Sequence, residues 1–300
     1  MKKINFNGIT TSSLGFGCSL LTRNNSVKTA IVNLQTAFDA GVSHFDVARL
    51  YGFGEAETIL GKFAKAKRHE ITITTKTGLS GKHLPLWTLP IMNRVRAFIK
   101  LNQSAINSKH IGIVPVIGVY NPYKILNDLH TSLDKIGTDF IDFYLLHEAN
   151  ISKANQEDII AVLQKSKDAG KILKFGIASN SIKIQNEYHN LNRSYQVLQH
   201  SDNFFEHNIS KMPINDDQFI RIVYNIFSNL KAVESAIAFN KELYDPVKLI
   251  LAYYKKVNEG GITLFSSIRN EHIKDTVKKW NNLSKSDLNI PLAIFRQKYD

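Results

Sequence analysis

Residues 41–61, GVSHFDVARLYGFGEAETILG, decide the fold, because they lead from the end of one apolar strand into the next helix. The segment VSHF reads as a short buried strand, and Asp46 follows it directly. Gly52 and Gly54 mark a tight turn, since glycine accepts backbone angles that other residues avoid. This turn returns Tyr51 to the mouth of the predicted sheet, so an acid and a tyrosine are expected side by side.

Two further predicted strands end in residues that can take part in chemistry. The run ITITTK ends in Lys76, and the run DFYLL is followed by His147. A free tyrosine has a pKa of about 10, so Tyr51 needs a fixed cation nearby to exchange protons at neutral pH. Lys76 is the candidate for that cation. The sequence therefore predicts that Asp46, Tyr51, Lys76 and His147 meet at three strand ends.

Each of these four residues also has an ordinary structural interpretation. Tyr51 is explained as a turn aromatic, Asp46 as a cap, Lys76 as a charge at a strand end and His147 as a core histidine. Taken one at a time, these interpretations are the better ones. Taken together they fail, because unrelated residues have no reason to occupy successive strand ends in this way.

Strands and helices alternate along the chain, which predicts an α/β fold, specifically a (β/α)₈ TIM barrel formed as a single domain by residues 1–300. A doubly wound Rossmann sheet is the alternative, but no GxGxxG motif follows a strand. An N-terminal β-hairpin is predicted over residues 1–12, closing one end of the barrel. Strands are predicted at 13–17, 42–46, 71–76, 140–146, 173–178, 195–199, 220–225 and 262–265, and helices at 27–40, 56–66, 125–136, 156–169, 182–190, 246–257 and 271–280.

A long basic loop follows the third barrel strand and covers residues 77–124. Loops of this length are usually functional or contain a helix of their own. Residues 92–101 have helical character, and Trp87, Pro90 and Phe98 are candidates for a lid over the barrel mouth. An ordinary surface insertion that packs its own apolar residues is equally compatible with the sequence.

Composition excludes several classes of protein. The chain has 300 residues, 43% of them hydrophobic, a formal net charge of +12 and one cysteine, so neither an intrachain disulfide nor a thiolate metal cluster is expected. Its lysines are spread over many predicted helices, which favours a solvated basic surface over a nucleic-acid site. No apolar run approaches the roughly 18 residues of a membrane span, and a cytoplasmic protein is therefore expected.

The motifs FDVARLYGFGEAE, TTK, IDFYLLH, GKILKFGIASN, VLQHS, IVYNIFS and LFSSIRNEHI occur in this order, and together they make the chain resemble the aldo-keto reductases. The resemblance implies that Tyr51 is the general acid or base, that Lys76 lowers its pKa and that Asp46 holds Lys76 in place. His147 would orient the substrate oxygen. The implied activity is NAD(P)(H)-dependent interconversion of a small-molecule carbonyl compound (aldehyde, ketone or sugar) and its alcohol.

The resemblance also implies residues that bind the cofactor, with NADP(H) preferred and NAD(H) possible. Tyr224 would stack on the nicotinamide, and Gln199, with Ser179 and Asn180, would bond its carboxamide. The family's Gly-Val-Ser-Asn reads one residue longer here, GIASN. Arg269 is the candidate for a 2′-phosphate, since a helix start favours phosphate. The remaining implied contacts are Gly17, Cys18, Asn225, Ser228, Ser266, Ser267 and His272.

A different function is also compatible with these motifs. Some relatives in the family are channel-associated regulatory subunits that bind the cofactor, sense redox state and turn over slowly, and they retain the same four residues. The sequence does not decide between that role and a metabolic enzyme. It also leaves open the substrate, the direction of reaction and the oligomeric state.

Overall fold

The structure is a computed structural model that describes residues 1–23, 26–80, 116–117, 120–206, 219–237 and 244–289. The strands are β1 (Lys3–Phe6), β2 (Ile9–Ser12), β3 (Leu14–Gly17), β4 (His44–Asp46), β5 (Thr72–Thr77), β6 (Leu79–Ser80), β7 (Val116–Ile117), β8 (Ile141–His147), β9 (Ile172–Ser179), β10 (Val197–Ser201), β11 (Ile220–Tyr224) and β12 (Ile262–Phe265). The helices are α1 (Val27–Asp39), α2 (Ala56–Ala64), α3 (Pro122–Ile136), α4 (Ile151–Ala154), α5 (Glu157–Asp168), α6 (Ser181–Glu187), α7 (Leu230–Ala236), α8 (Pro246–Val257) and α9 (Asn270–Asn281).

Eight of the described strands close into a barrel. Their order around it is β3, β4, β5, β8, β9, β10, β11 and β12, and β12 pairs with β3. Every neighbouring pair is parallel. Helices α8, α9, α1, α2, α3 and α5 pack against one another in that order outside the barrel. The predicted (β/α)₈ barrel is confirmed.

The N-terminal hairpin closes the end of the barrel at which the strands begin. Strands β1 and β2 pair antiparallel, and Ile4 and Ile9 belong to the apolar cluster inside the barrel. The ring of Phe6 meets that of Phe143 edge-on, with centroids 6.3 Å apart. Since the same cluster contains the first residues of β10, β11 and β12, the hairpin seals this end. The prediction of a closing hairpin is confirmed.

Side chains of the barrel strands alternate between the barrel interior and the layer beneath the helices. On β8, Phe143 and Leu145 belong to the interior cluster, whereas Tyr144 and Leu146 belong to the outer one. This is the period of two that a pleated strand imposes. Continuing the alternation, His147 faces the interior at the end where the strands finish.

The helix predictions are confirmed with small shifts of their ends. Helix α1 begins where the sequence predicts, because the hydroxyl of Ser26 accepts a hydrogen bond of 3.1 Å from the backbone N–H of Thr29. Helices α4 and α7 were not predicted. Helix α4 has four residues, too few for a helical period, and its N-cap Asn150 is its main signal.

The predicted lid falls mostly on residues that the structure does not describe. Residues 81–115 and 118–119 lie outside the described residues, so the predicted lid helix and the candidate lid residues stay predictions.

Among the helices that the structure describes, none combines the length and the apolar character needed to cross a membrane.

Candidate active site

Three strand ends and one turn bring the four predicted residues together. Asp46 ends β4, His147 ends β8, Lys76 lies one residue before the end of β5, and Tyr51 opens the 3₁₀ turn after β4. All four line one cavity of about 460 Å³ at the mouth of the barrel. The cavity is also lined by Gly17, Ser19, Leu20, Glu148, Ala178, Gln199, Tyr224, Asn225, Ile226, Phe227, Ser228, Leu264, Phe265 and Ser266.

Asp46 and Lys76 form a buried ion pair beneath the cavity. The Lys76 Nζ donates to Asp46 Oδ1 at 2.6 Å and to the carbonyl of Val47 at 3.0 Å. The side chain of Lys76 is 2% exposed and that of Asp46 is 4% exposed. Burial raises the pKa of the Asp46 carboxyl, and the charge of Lys76 and the hydrogen bonds from Lys76 and Gln199 oppose that rise. Asp46 thereby holds the Lys76 ammonium in one position.

Tyr51 lies over this ion pair. Its ring centroid is 5.1 Å from Lys76 Nζ, and its ring meets that of His147 edge-on at 6.0 Å. Burial, followed by the negative charge of Asp46, raises the pKa of the Tyr51 phenol well above its usual range. The expected net lowering by Lys76 is not found, because burial makes the largest contribution to the pKa of Tyr51 and the charge of Asp46 adds to it. Tyr51 is therefore a protonated phenol at neutral pH.

His147 is a neutral imidazole at the cavity wall. Burial, with the nearby charge of Lys76, lowers the pKa of His147 to about 3. Its backbone carbonyl accepts a hydrogen bond from the hydroxyl of Tyr120. A neutral imidazole has one N–H donor and one acceptor nitrogen, so it can hydrogen-bond a ligand oxygen without adding charge.

A buried ionic network fixes the turn that presents Tyr51, and sequence reasoning missed it. Arg49 Nη1 lies 3.1 Å from Glu57 Oε2 and Arg49 Nε lies 3.8 Å from Asp128 Oδ1. The hydroxyl of Thr75 donates to the other oxygen of Glu57 at 2.7 Å. Glu57 is fully buried at the start of α2. The network joins the turn before Tyr51 to the strand residue beside Lys76. Glu57 inside an otherwise apolar helix face was the available signal.

The turn itself requires glycine. Gly52 has a φ of 61°, in the left-handed region that side chains disfavour. A Cβ at this position would overlap the side chain of Thr22. The glycine turn predicted after Tyr51 is therefore present.

Gln199 presents an unpartnered polar atom to the cavity. Its Nε2 donates to Asp46 Oδ2 at 2.7 Å, which fixes the orientation of the amide. Its Oε1 is buried and has no hydrogen-bond partner among the described residues. An unpaired buried acceptor is costly, so a ligand that offers an N–H here gains from the contact. Nearby, Tyr224 lines the cavity half-buried, and burial raises the pKa of its phenol to about 12.

The backbone of Gly17 forms part of the cavity wall. A Cβ there would lie 2.5 Å from the hydroxyl of Ser266, which donates to the carbonyl of Gly17 at 2.8 Å. Asn225, with a φ of 68°, and Ser228 continue the wall after Tyr224. These four residues lie where the resemblance implied cofactor contacts.

Six predicted cofactor residues do not line the cavity, and three of them, Ser179, Asn180 and Cys18, lie beside or behind its wall. On β9 the interior position is Ala178, which aligns with Gln199 and His147, so the next residue, Ser179, faces outward by strand alternation. The hydroxyl of Ser179 contacts the carbonyl of Ala149 at 3.4 Å. Asn180 instead caps α6 by accepting from the backbone N–H of Ile182. The third residue is Cys18, fully buried beside the cavity, with its thiol 3.8 Å from the carbonyl of Phe16.

Ser267, Arg269 and His272 lie at the start of α9, just beyond the cavity wall at Ser266. Arg269 and His272 are exposed, and the Ser267 hydroxyl accepts from the backbone N–H of Arg269 at 3.1 Å.

Sequence reasoning missed several residues of the cavity wall. They are mostly neighbours of predicted residues in the chain, so proximity was the available signal: Ser19, Leu20, Glu148, Ala178, Ile226, Phe227, Leu264 and Phe265. Among the described residues, no cluster of His, Cys, Asp and Glu has the geometry of a metal site.

The chain belongs to the aldo/keto reductase family. The profile described as "Aldo/keto reductase family" matches residues 13–212, two thirds of the chain. The chain is 28% identical over 181 residues to aldo-keto reductase YhdN of Bacillus subtilis, covering 58% of this chain and 45% of YhdN. It is 27% identical over 161 residues to a putative voltage-gated potassium channel subunit beta of Schizosaccharomyces pombe, covering 52% of this chain and 38% of that protein.

Solved structures show the same fold. The aldo-keto reductase of Klebsiella pneumoniae, determined in complex with NADPH, superposes with a TM-score of 0.70 at 15% sequence identity. The superposition covers 99% of this chain and 95% of that structure. By contrast, the aligned region spans less than half the length of both curated relatives named above.

Proposed function

We propose that this protein is an oxidoreductase that interconverts a small-molecule carbonyl compound and its alcohol with a nicotinamide cofactor. The observation that carries the proposal is the arrangement of Tyr51 over the Asp46–Lys76 ion pair, with neutral His147 beside it. A proton donor, a fixed charge pair and a neutral hydrogen-bonding ring meet in one cavity. This is the set of groups needed to protonate and orient a carbonyl oxygen during reduction.

The cavity residues fit a nicotinamide cofactor. The unpaired Oε1 of Gln199 accepts from an amide N–H, as a carboxamide offers. The ring of Tyr224 borders the same space, and Gly17 leaves room for close approach. These residues would hold the nicotinamide end, and a bound cofactor would supply or accept the hydride. The Klebsiella relative in complex with NADPH supports this assignment.

Tyr51 is proposed as the group that gives the proton in reduction and accepts it in oxidation. Its raised pKa keeps the phenol protonated across neutral pH, which suits donation to an oxygen that gains negative charge. The ammonium of Lys76, held by Asp46, stabilises the phenolate left after donation. His147 stays neutral, so its proposed role is to hydrogen-bond and orient the substrate oxygen.

Recognition of the cofactor phosphates is assigned to the start of α9. The N-terminal backbone N–H groups of a helix favour anions, and Arg269 and His272 bring basic side chains to the same place. Ser267 lies between this helix start and the cavity. We therefore propose that NADP(H) is preferred over NAD(H), and that residues 1–300 act as one barrel domain.

A substrate screen tests the proposal. Purified protein is incubated with NADPH or NADH and a panel of aldehydes, ketones and sugars, and loss of reduced cofactor is followed by absorbance. We expect turnover of at least one carbonyl compound and faster turnover with NADPH. Tight cofactor binding with negligible turnover across the panel would instead favour a redox-sensing regulatory subunit. The potassium channel subunit relative is the observation behind that second candidate.

A further inference from the structure

Glu148 adds a carboxylate to the cavity that the proposed proton-transfer chemistry does not use. It follows His147, the last residue of β8, and lines the same cavity. Because His147 faces the interior, an extended Glu148 would face the outer layer instead. Its φ of 54° interrupts the alternation, so two consecutive side chains point into the cavity. A left-handed backbone is unfavourable for glutamate.

Among the described residues, no cation pairs with the Glu148 carboxylate. Within the described part of the chain, it makes neither a salt bridge nor a hydrogen bond, although it is half-buried. This is unusual for a protein with a formal net charge of +12. A half-buried carboxylate without a partner leaves acceptor oxygens free for a ligand.

The other titratable groups of the cavity do not compensate this charge. Asp46 and Lys76 neutralise each other at 2.6 Å. His147 is neutral because its pKa is about 3, and Tyr51 and Tyr224 are protonated phenols. The described wall of the cavity therefore carries one net negative charge, located on Glu148.

The negative charge of Glu148 acts on Tyr51 and Tyr224, two residues of the proposed reaction site. Its charge contributes to the raised pKa of Tyr51, of Tyr224 and of Tyr120. Burial is the larger cause in all three cases. A charge that acts on Tyr51 and Tyr224 also acts on a ligand lying between them.

We propose that Glu148 forms a cation-accepting subsite next to the reacting centre, which favours carbonyl substrates bearing a positively charged nitrogen and disfavours those bearing a carboxylate. This rests on the proposed oxidoreductase function and narrows its substrate class. The attraction is direct, because opposite charges a few ångströms apart in a partly desolvated cavity interact more strongly than in water. A carboxylate substrate meets like-charge repulsion at the same point.

Three aldehydes of similar size and different charge test the subsite. They are 4-(trimethylammonio)butanal, its neutral carbon isostere 5,5-dimethylhexanal, and the anionic 5-oxopentanoate. We expect kcat/KM to be about tenfold higher for the cationic aldehyde than for the neutral one, and lower still for the anion. In Glu148→Gln the three values should converge to within about threefold, mainly through a rise in KM for the cation.

A matched control separates a local effect from a change in total charge. Glu234→Gln removes one negative charge on the exposed surface of α7 and should leave the order of the three aldehydes unchanged. Glu148→Gly keeps the left-handed backbone without strain and should melt no lower than the wild type while losing the charge preference. A wild-type order that favours 5-oxopentanoate, or a cation preference that survives in Glu148→Gln, overturns the subsite.

A binding measurement keeps this result distinct from the proposed function. The corresponding alcohols, 4-(trimethylammonio)butan-1-ol and 5,5-dimethylhexan-1-ol, are titrated into the protein in the presence of NADP⁺ by calorimetry. Tighter binding of the cationic alcohol, lost in Glu148→Gln, supports the subsite even if no aldehyde is turned over. Equal affinities for the two alcohols in the wild type would refute it, whatever the outcome of the substrate screen.

Discussion

The two sides of the cavity mouth are built differently. On the side of β4, β5 and β8, the charged groups are buried and paired, with Lys76 held 2.6 Å from Asp46. On the side of α9, Arg269 and His272 are exposed, and their side chains form no hydrogen bond or ion pair within the described residues. One side is held by its own contacts, and the other is proposed to gain contacts when the cofactor binds.

This contrast separates the energetic roles of the two sides. Groups held in place by burial can stabilise a developing charge without reorganising, so their loss should reduce the rate strongly. Exposed basic side chains lose conformational freedom on binding and are screened by salt, so their loss should reduce affinity moderately. Variants on each side test whether rate and affinity separate in this way.

The largest effect is expected for Tyr51→Phe. The variant keeps the ring over Lys76 but removes the proton donor, so turnover should fall by about two to four orders of magnitude. Cofactor affinity should barely change. In the wild type, reduction should stay active as the pH rises through the neutral range, because the raised pKa keeps the phenol protonated. Single-turnover reduction and thermal melting on one preparation check this; near wild-type reduction by the variant would contradict the assignment of Tyr51.

Breaking the buried ion pair between Asp46 and Lys76 should lower both the turnover rate and the free energy of unfolding. Lys76→Met leaves the Asp46 carboxylate unpaired, and removal of one partner of a buried pair typically costs about 3 to 5 kcal/mol. The double variant Asp46→Asn, Lys76→Met should recover much of the free energy of unfolding but not the turnover. Urea unfolding and turnover on the three proteins measure this. Recovery of turnover in the double variant would mean that the pair acts only through folding.

On the side of α9, Arg269→Ala should erode the preference for NADPH over NADH. A charge-assisted bond to a phosphate contributes about 1.5 to 3 kcal/mol, or roughly ten- to a hundredfold in affinity. Lys278→Ala, which removes a positive charge from the last turn of the same helix, is the control and should leave the ratio unchanged. Fluorescence titration with both cofactors gives the dissociation constants. Equal wild-type constants for NADPH and NADH would remove the proposed phosphate site.

The smallest effect is expected for Tyr224→Ala, at the boundary between the two sides. Loss of a stacking ring should weaken binding of either cofactor by about 0.5 to 1.5 kcal/mol beyond the lost contact area, with the fold intact. The ratio between the two cofactors should not move, unlike in Arg269→Ala. Unchanged affinity would assign the stacking contact to another part of the cavity wall.

The barrel and the positions of the four residues proposed for proton transfer were predictable because their signals are local. Lys76 and His147 close runs of strand-forming residues, and Asp46 and Tyr51 lie within one short motif. The face of a strand on which a side chain lies was harder to predict. Ser179 was expected in the cavity, but the pleat of β9 places Ala178 there instead. A shift of one residue reverses the face of a strand, and the sequence alone did not fix this register.

Contacts between distant residues were not predictable. Glu57, Arg49 and Asp128 meet only because α2 and α3 pack side by side on β5. The left-handed conformation of Glu148 has no sequence signal either, since glutamate is an ordinary residue after a strand. These features depend on tertiary packing, which can override local preference.

The N-terminal hairpin has a kinetic consequence for the proposed reaction. Because Ile4 and Ile9 pack into the barrel interior at the opposite end, cofactor and substrate are expected to enter the described cavity from the mouth. Whichever molecule occupies the deeper position has to enter first and leave last. The proposed reaction is therefore expected to follow a fixed order of binding and release, set by the end of the barrel that residues 1–12 close.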